Sequence, residues 1–129
     1  MTQPIVFISH SAIKPGKHEG FRAFIRSGAD GLAAEKPGTV VFLAYLDEDA
    51  SRVSIVHVFP DADAMNAHLE GVEERSREAD MFIETRGYEI YGSPDEPVLR
   101  MMRAFADGSG VPLTVRPELV GGYVRLRST

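Results

Sequence analysis

The side chains here best suited to acid–base chemistry are the 4 histidines, His10, His18, His57 and His68, because imidazole titrates nearest neutrality. His68 stands on the apolar stripe Met65, His68, Leu69, Val72 of a predicted helix, so the helical period aims its ring at the interior. A shielded imidazole needs a hydrogen-bond partner. Three roles fit it: a satisfied core group, a catalytic or ligand-orienting base, or a metal ligand. His57 lies on the apolar face Val53, Ile55, His57, Phe59 of a predicted strand and is shielded too. His18, at the start of a helix, reads as a surface residue. Arg86 and Tyr88, two apart in a strand-like run, share one side with Ile90, while Thr85, Glu89 and Tyr91 take the other. A guanidinium and a phenol both donate hydrogen bonds and together suit an enolate or phenolate oxygen. Their plain alternative is a surface arginine and a half-buried tyrosine. The candidate catalytic set is therefore His68, His57, Arg86 and Tyr88, with His10, Phe24, Met65 and Tyr91 as candidate ligand contacts.

Other chemistries lack their residues. There is no cysteine, which removes disulfides, thiolate ligands and cysteine nucleophiles. No H-E-x-x-H spacing occurs, and a triad assembled from His10, His57 and Glu89 has nothing local to announce it, so no metal is expected. G-x-S-x-G and G-x-G-x-x-G are absent as well, and no cofactor is expected. The 5 methionines, among them Met81, Met101 and Met102, read as filler of irregular core space. A net charge of −5 without a basic run disfavours nucleic acid. The apolar run Ile5-Val6-Phe7-Ile8 is too short for a membrane span or a signal core, so a cytoplasmic protein without a membrane partner is expected.

These residues need elements to hold them. A length of 129 residues with 43% hydrophobic and 26% charged side chains suits one folded domain. Ile5 to Ile13 reads as a strand, with Ile5, Phe7, Ser9, Ser11 and Ile13 on one side and Val6, Ile8, His10 and Ala12 on the other. Lys17 to about Glu35 reads as a helix with the buried stripe Phe21, Phe24, Ile25, Gly28, Ala29, Leu32. Gly28 and Gly31 within it imply either close packing or poorly filled space beneath. Thr39 to Leu46 and Arg52 to Phe59 read as a hairpin, and a second helix opens at the N-cap Asp61. Glu73 to Glu78 reads as a solvated helical face. Met81 to Tyr91 is a fourth strand, with Gly87 marking a bulge or close approach. Ser93-Pro94-Asp95-Glu96 predicts a capping box before a helix carrying Val98, Met101, Met102 and Phe105. Short extended runs follow at Leu113 to Arg116 and Tyr123 to Leu126.

The order through about Gly92 is βαββαβ, a ferredoxin-like α+β sheet. Ala12-Ile13-Lys14-Pro15-Gly16-Lys17 with Phe21, Pro60-Asp61-Ala62-Asp63 and Ala67-His68-Leu69 together resemble the antibiotic biosynthesis monooxygenase type of dimeric α+β barrel. The resemblance implies a single domain over 1–129, with a core at 1–92 and an added C-terminal helix and extended segment at 93–129. It also implies a homodimer in which two sheets face each other, which would explain why both faces of this sheet are apolar. Ligand cavities lie between helix and sheet in that family. The implied function is a cofactor-independent, monooxygenase-like enzyme acting on a hydrophobic aromatic or polyketide-like molecule. The alternatives are a non-enzymatic ligand-binding or structural homodimer and a polyketide cyclase-type acid–base enzyme. Relatives that oxidise polycyclic phenols or degrade haem commonly use a tryptophan, and this sequence has none. The extension is expected either to cover the cavity or to reach a partner subunit.

Overall fold

The computed structural model describes residues 3–125. Strand β1 (Ile5–Ile13) is followed by helix α1 (His18–Glu35), the hairpin β2 (Val41–Leu46) and β3 (Arg52–Phe59), helices α2 (Ala62–Leu69) and α3 (Val72–Ala79), and strand β4 (Ile83–Tyr91). Helix α4 (Glu96–Ser109) and strand β5 (Leu113–Arg116) complete the regular elements among the described residues. The sheet order is β2-β3-β1-β4-β5, antiparallel except for β5, which runs parallel to β4. α4 is the crossover that a parallel strand requires.

β1 sits at the centre, between β3 and β4, with apolar side chains on both faces except at Ser9, His10 and Ser11. Ile5, Phe7, Ser11 and Ile13 are buried beneath the helices. Val6, Ile8, His10 and Ala12 remain half-exposed on the opposite, open face. Val56 and Val58 of β3 join them, with Leu43 and Tyr45 of β2, which are 47% and 60% exposed.

Beneath the helices the core divides in two. Ile5, Phe7, Phe59 and Ile90 of the sheet pack with Met65 and Leu69 of α2 and Val98 and Met102 of α4. At the other end Ile13, Val53, Ile55 and Ile83 pack with Phe21 of α1. Ser9 and Ser11 lie between the clusters on β1, and their small side chains leave room that the flanking Phe7 and Ile13 would fill. Only Phe21 of the α1 stripe is fully buried, because the rest of the stripe overlies this gap.

Several expectations are corrected by local backbone. The single second helix is broken at Gly71, whose φ of +80 turns the chain into α3. Asp61 caps α2 as expected, accepting from the Ala64 N–H at 2.8 Å. The capping box does not form: α4 starts at Glu96 after Asp95, and the Ser93 hydroxyl donates to Pro117 O instead. Tyr123 to Arg125 belong to no strand, and Leu126 falls outside the described residues.

The most consequential correction is on β4. The β1–β4 register shifts between His10 and Ser11, with His10 opposite Gly87 and Ser11 opposite Thr85, so Arg86 is the extra residue of a bulge. The bulge breaks the alternation, and Thr85 and Tyr88 face the helices together. Arg86 turns to solvent and pairs with Glu84 at 2.7 Å. Gly87 permits the approach of Pro112, whose carbonyl accepts from Tyr88 N–H.

Candidate active site

The gap between the two core clusters is a chamber of about 540 Å³. Its floor is Phe7, Ser9, Ser11, Ile55 and His57 of the sheet, and its roof is Phe24, Ile25, Gly28 and Leu32 of α1. α2 contributes His68, α3 contributes Arg75, β4 contributes Thr85 and Tyr88, and α4 closes one wall with Met102 and Phe105.

His57 is held in an aromatic surround because β3 lies between β1 and β2. Its ring stacks on Phe7 at 4.8 Å and meets the edge of Phe42 at 5.2 Å. Its Nδ1–H donates to Phe7 O at 3.0 Å. That bond assigns the tautomer: in the neutral ring Nε2 keeps its lone pair. Burial is the main reason its pKa falls to about 4.

His68 meets His57 edge to face, with ring centroids 5.1 Å apart, and packs on Phe59 at 5.2 Å. The Thr39 hydroxyl hydrogen-bonds its Nδ1 at 2.7 Å. It is 4% exposed, and burial, then the repulsion that a protonated His57 would exert and the charges of Arg75 and Lys36, lower its pKa to about 3. Two adjacent imidazoles are thus neutral at physiological pH, each with a fixed partner on Nδ1.

Tyr88 continues the aromatic row, its ring 6.0 Å from Phe7. Burial raises its phenol pKa, so it remains a hydrogen-bond donor. Arg75 is hidden in what the sequence presents as a solvated charged run. After the turn at Gly71 it folds back, and its guanidinium donates to Glu70 O at 2.8 Å and His68 O at 2.5 Å. Ser9 and Ser11 also escape the sequence reading as site residues, although two polar side chains on an otherwise apolar strand face are a readable signal.

Of the predicted residues, the chamber therefore brings together His57, His68, Tyr88 and Phe24. Arg86 is kept out by the bulge, and Met65 is wholly buried in the neighbouring core cluster. His10 and Tyr91 lie on the open face, so His10 and His57 are on opposite sides of the sheet and do not approach. There His10 hydrogen-bonds Ser54 at 2.8 Å and pairs with Glu89, which also accepts from Tyr91 OH at 2.5 Å. The His10 contact leads the causes that hold the Glu89 carboxyl below its ordinary range. His10 and Glu89 do meet, but no group of three or more His, Cys, Asp or Glu suited to a metal occurs among the described residues.

Comparison with known proteins gives the same outline. The antibiotic biosynthesis monooxygenase family matches residues 4–75. No curated protein matches in sequence. Among solved structures, MupZ from Pseudomonas fluorescens aligns with TM-score 0.72 at 17% identity, covering 96% of each chain. SnoaB from Streptomyces nogalater, described as a cofactor-independent oxygenase, aligns at 0.60 and 15% identity, covering 73% of this chain and 96% of its own. A putative antibiotic biosynthesis monooxygenase from Chloroflexus aurantiacus aligns at 0.55 and 16%, covering 68% and 90%. At these identities the likeness is one of fold. The MupZ alignment takes in α4 and β5, while the other two cover little more than the βαββαβ core.

Proposed function

The chain belongs to the antibiotic biosynthesis monooxygenase family, and from that premise we propose that it binds a hydrophobic, aromatic or polyketide-like molecule in the chamber and oxidises it without a cofactor. The observation that carries the reading is the pair of neutral imidazoles, His57 and His68, facing an apolar space large enough for a fused-ring ligand. The likeness of fold to a cofactor-independent oxygenase supports it.

In this mechanism an activated C–H or phenolic O–H of the ligand lies against the imidazole pair. His57 Nε2 accepts the proton, with His68 as the second acceptor, and the Tyr88 phenol donates a hydrogen bond to the enolate or phenolate oxygen formed. The electron-rich carbanion then reacts with dioxygen. For an anthrone the balance is closed: the methylene becomes a carbonyl with one oxygen atom, and the other leaves as water with the two hydrogens.

We further read the open face as covered by a second copy of the chain. Leaving Val6, Ile8, Val56, Leu43 and their neighbours in water forfeits about 1.5 kcal/mol or more for each large side chain. The His10, Ser54, Glu89, Tyr91 cluster is already hydrogen-bonded within one subunit, so covering it leaves no orphaned charge.

Anthrone with an oxygen electrode tests the enzyme reading. Oxygen uptake above the uncatalysed rate, reduced about 100-fold in His57→Ala or His68→Ala, is expected. Anthrone binding without oxygen uptake would replace the oxygenase reading with that of a binding protein, and rates unchanged by both substitutions would remove the histidines from the chemistry.

A further inference from the structure

Resting on the chamber as a ligand site, we infer that its ligand carries a carboxylate, or an equivalent group ionised at neutral pH, and that Arg75 receives it. The geometry starts at the C-terminus of α2. Two cations converge there, Arg75 on His68 O and Glu70 O, and Lys36 on Ala67 O at 2.7 Å. Arg75 meets carbonyls that the helix end frees, and Lys36 adds a second bond to Ala67 O, which also accepts from the Glu70 N–H.

That structural duty does not use up their charge. A helix C-terminus presents about half a negative charge, whereas Arg75 and Lys36 bring two positive ones. Neither forms an ion pair among the described residues. The carboxylate acting on Arg75 is Glu35, which is exposed and has no ion pair with it. Glu73, Arg77, Glu78 and Asp80 stand on the chamber rim, exposed to solvent; Asp80 acts on Tyr88, and none of the four is among the charges acting on Arg75, His57 or His68. Arg75 is half-buried and lines the chamber beside the imidazoles.

The imidazoles leave this positive field uncompensated. The fixed charges acting on His57 and His68 are those of Arg75 and Lys36, with no carboxylate among them. A guanidinium has five N–H groups. The carbonyls of His68 and Glu70 leave others to donate to a planar oxyanion, and charge-assisted bonds of this kind are the stronger ones. The chamber therefore combines an apolar body for a ring system with one basic corner. Such a site selects an aromatic acid over its neutral analogue.

Naphthoic acid and naphthamide, which differ in charge and little in shape, test the inference by calorimetry at neutral pH. The intact chain is expected to bind the acid about ten-fold more tightly than the amide. Arg75→Gln should abolish the preference and leave amide binding within about two-fold, while Arg75→Lys retains part of it. Where Arg75→Gln does not fold, the unmodified protein decides: raising salt from about 0.05 to about 0.5 M should weaken the acid and spare the amide. Equal affinities, a preference that survives in Arg75→Gln, or salt-insensitive acid binding would overturn the basic corner while leaving the chamber standing. Failure of both probes to bind would overturn the chamber reading itself and this inference with it.

Discussion

Lowering the pH from 7 to 5 should cost this fold about 4 kcal/mol, nearly all of it through His57 and His68. The ordinary imidazole value is 6.5, whereas the folded values are about 4 and about 3. At pH 5 the unfolded chain therefore binds a proton at each ring and the folded chain binds neither. The difference from pH 7 is about 2 kcal/mol per imidazole. The sign follows directly: the stability is complete above the unfolded value and is lost as pH falls toward the folded values. Glu89 is depressed as well, but its share is lost below its ordinary value of 4.5, so the interval between pH 5 and 7 isolates the imidazoles. Since a domain's total stability is about 5–15 kcal/mol, the loss is large. Urea unfolding at fixed protein concentration measures it, with His57→Gln and His68→Gln each expected to remove about half the pH dependence. An unfolding free energy that changes by less than about 1 kcal/mol, or ring resonances of either histidine titrating near 6.5, would refute the argument.

Gly28 overlies the chamber, and a Cβ added there would meet no heavy atom within 4 Å. Gly28→Ala should therefore raise stability by up to about 1 kcal/mol; Gly28→Leu should keep the fold by circular dichroism yet abolish naphthoic acid binding by calorimetry. Gly92 has φ +114, and a Cβ there would lie 2.9 Å from Pro4 O, so Gly92→Ala should lower stability by about 2 kcal/mol or more in urea unfolding. Val56→Glu, at the middle of the open face, should shift the chain to a monomer in light scattering without loss of helix content; an unmodified chain already monomeric at micromolar concentration would end the self-pairing reading.

The parts of the fold governed by periodicity are legible in the sequence. β1 and β3 fall where alternation places them, and of the two readings of Gly28, close packing or poorly filled space, it is the open space that lies beneath it, as the chamber. His57 and His68 are legible because a polar ring on an apolar face stands out. Arg86 is misplaced by alternation because side-chain direction on β4 depends on a register shift against β1, a relation between strands about 75 residues apart in the chain. Arg75 is illegible for a related reason. Its run is charged throughout, and only the left-handed turn at Gly71 returns this one guanidinium to the end of α2. For the C-terminal segment the sequence leaves two roles open, covering the cavity or reaching a partner; within one subunit α4 forms a chamber wall, while Val120 and Tyr123 beyond β5 stand 91% and 79% exposed.

The basic corner also bears on how such weak bases could take a proton. An imidazole with a pKa of about 4 is poorly matched to a general base at neutral pH, where a value near 7 serves best. Burial leads the depression of both rings, followed for His68 by its neighbour His57; the remainder is the charge of Arg75 acting on both rings and of Lys36 acting on His68. An anion docked on Arg75 cancels that field and replaces it with its own negative charge. Binding would then raise both values toward neutrality and prepare the base only when a ligand is present. Before a ligand arrives, neutral rings avoid a buried imidazolium beside a guanidinium. Ring resonances followed through a pH series in saturating naphthoic acid should move to a higher midpoint than in the free protein, whereas naphthamide should lower it or leave it in place, since it adds burial without charge. Equal upward shifts with both probes would mean that the protonation state responds to filling of the space and not to the charge of what fills it.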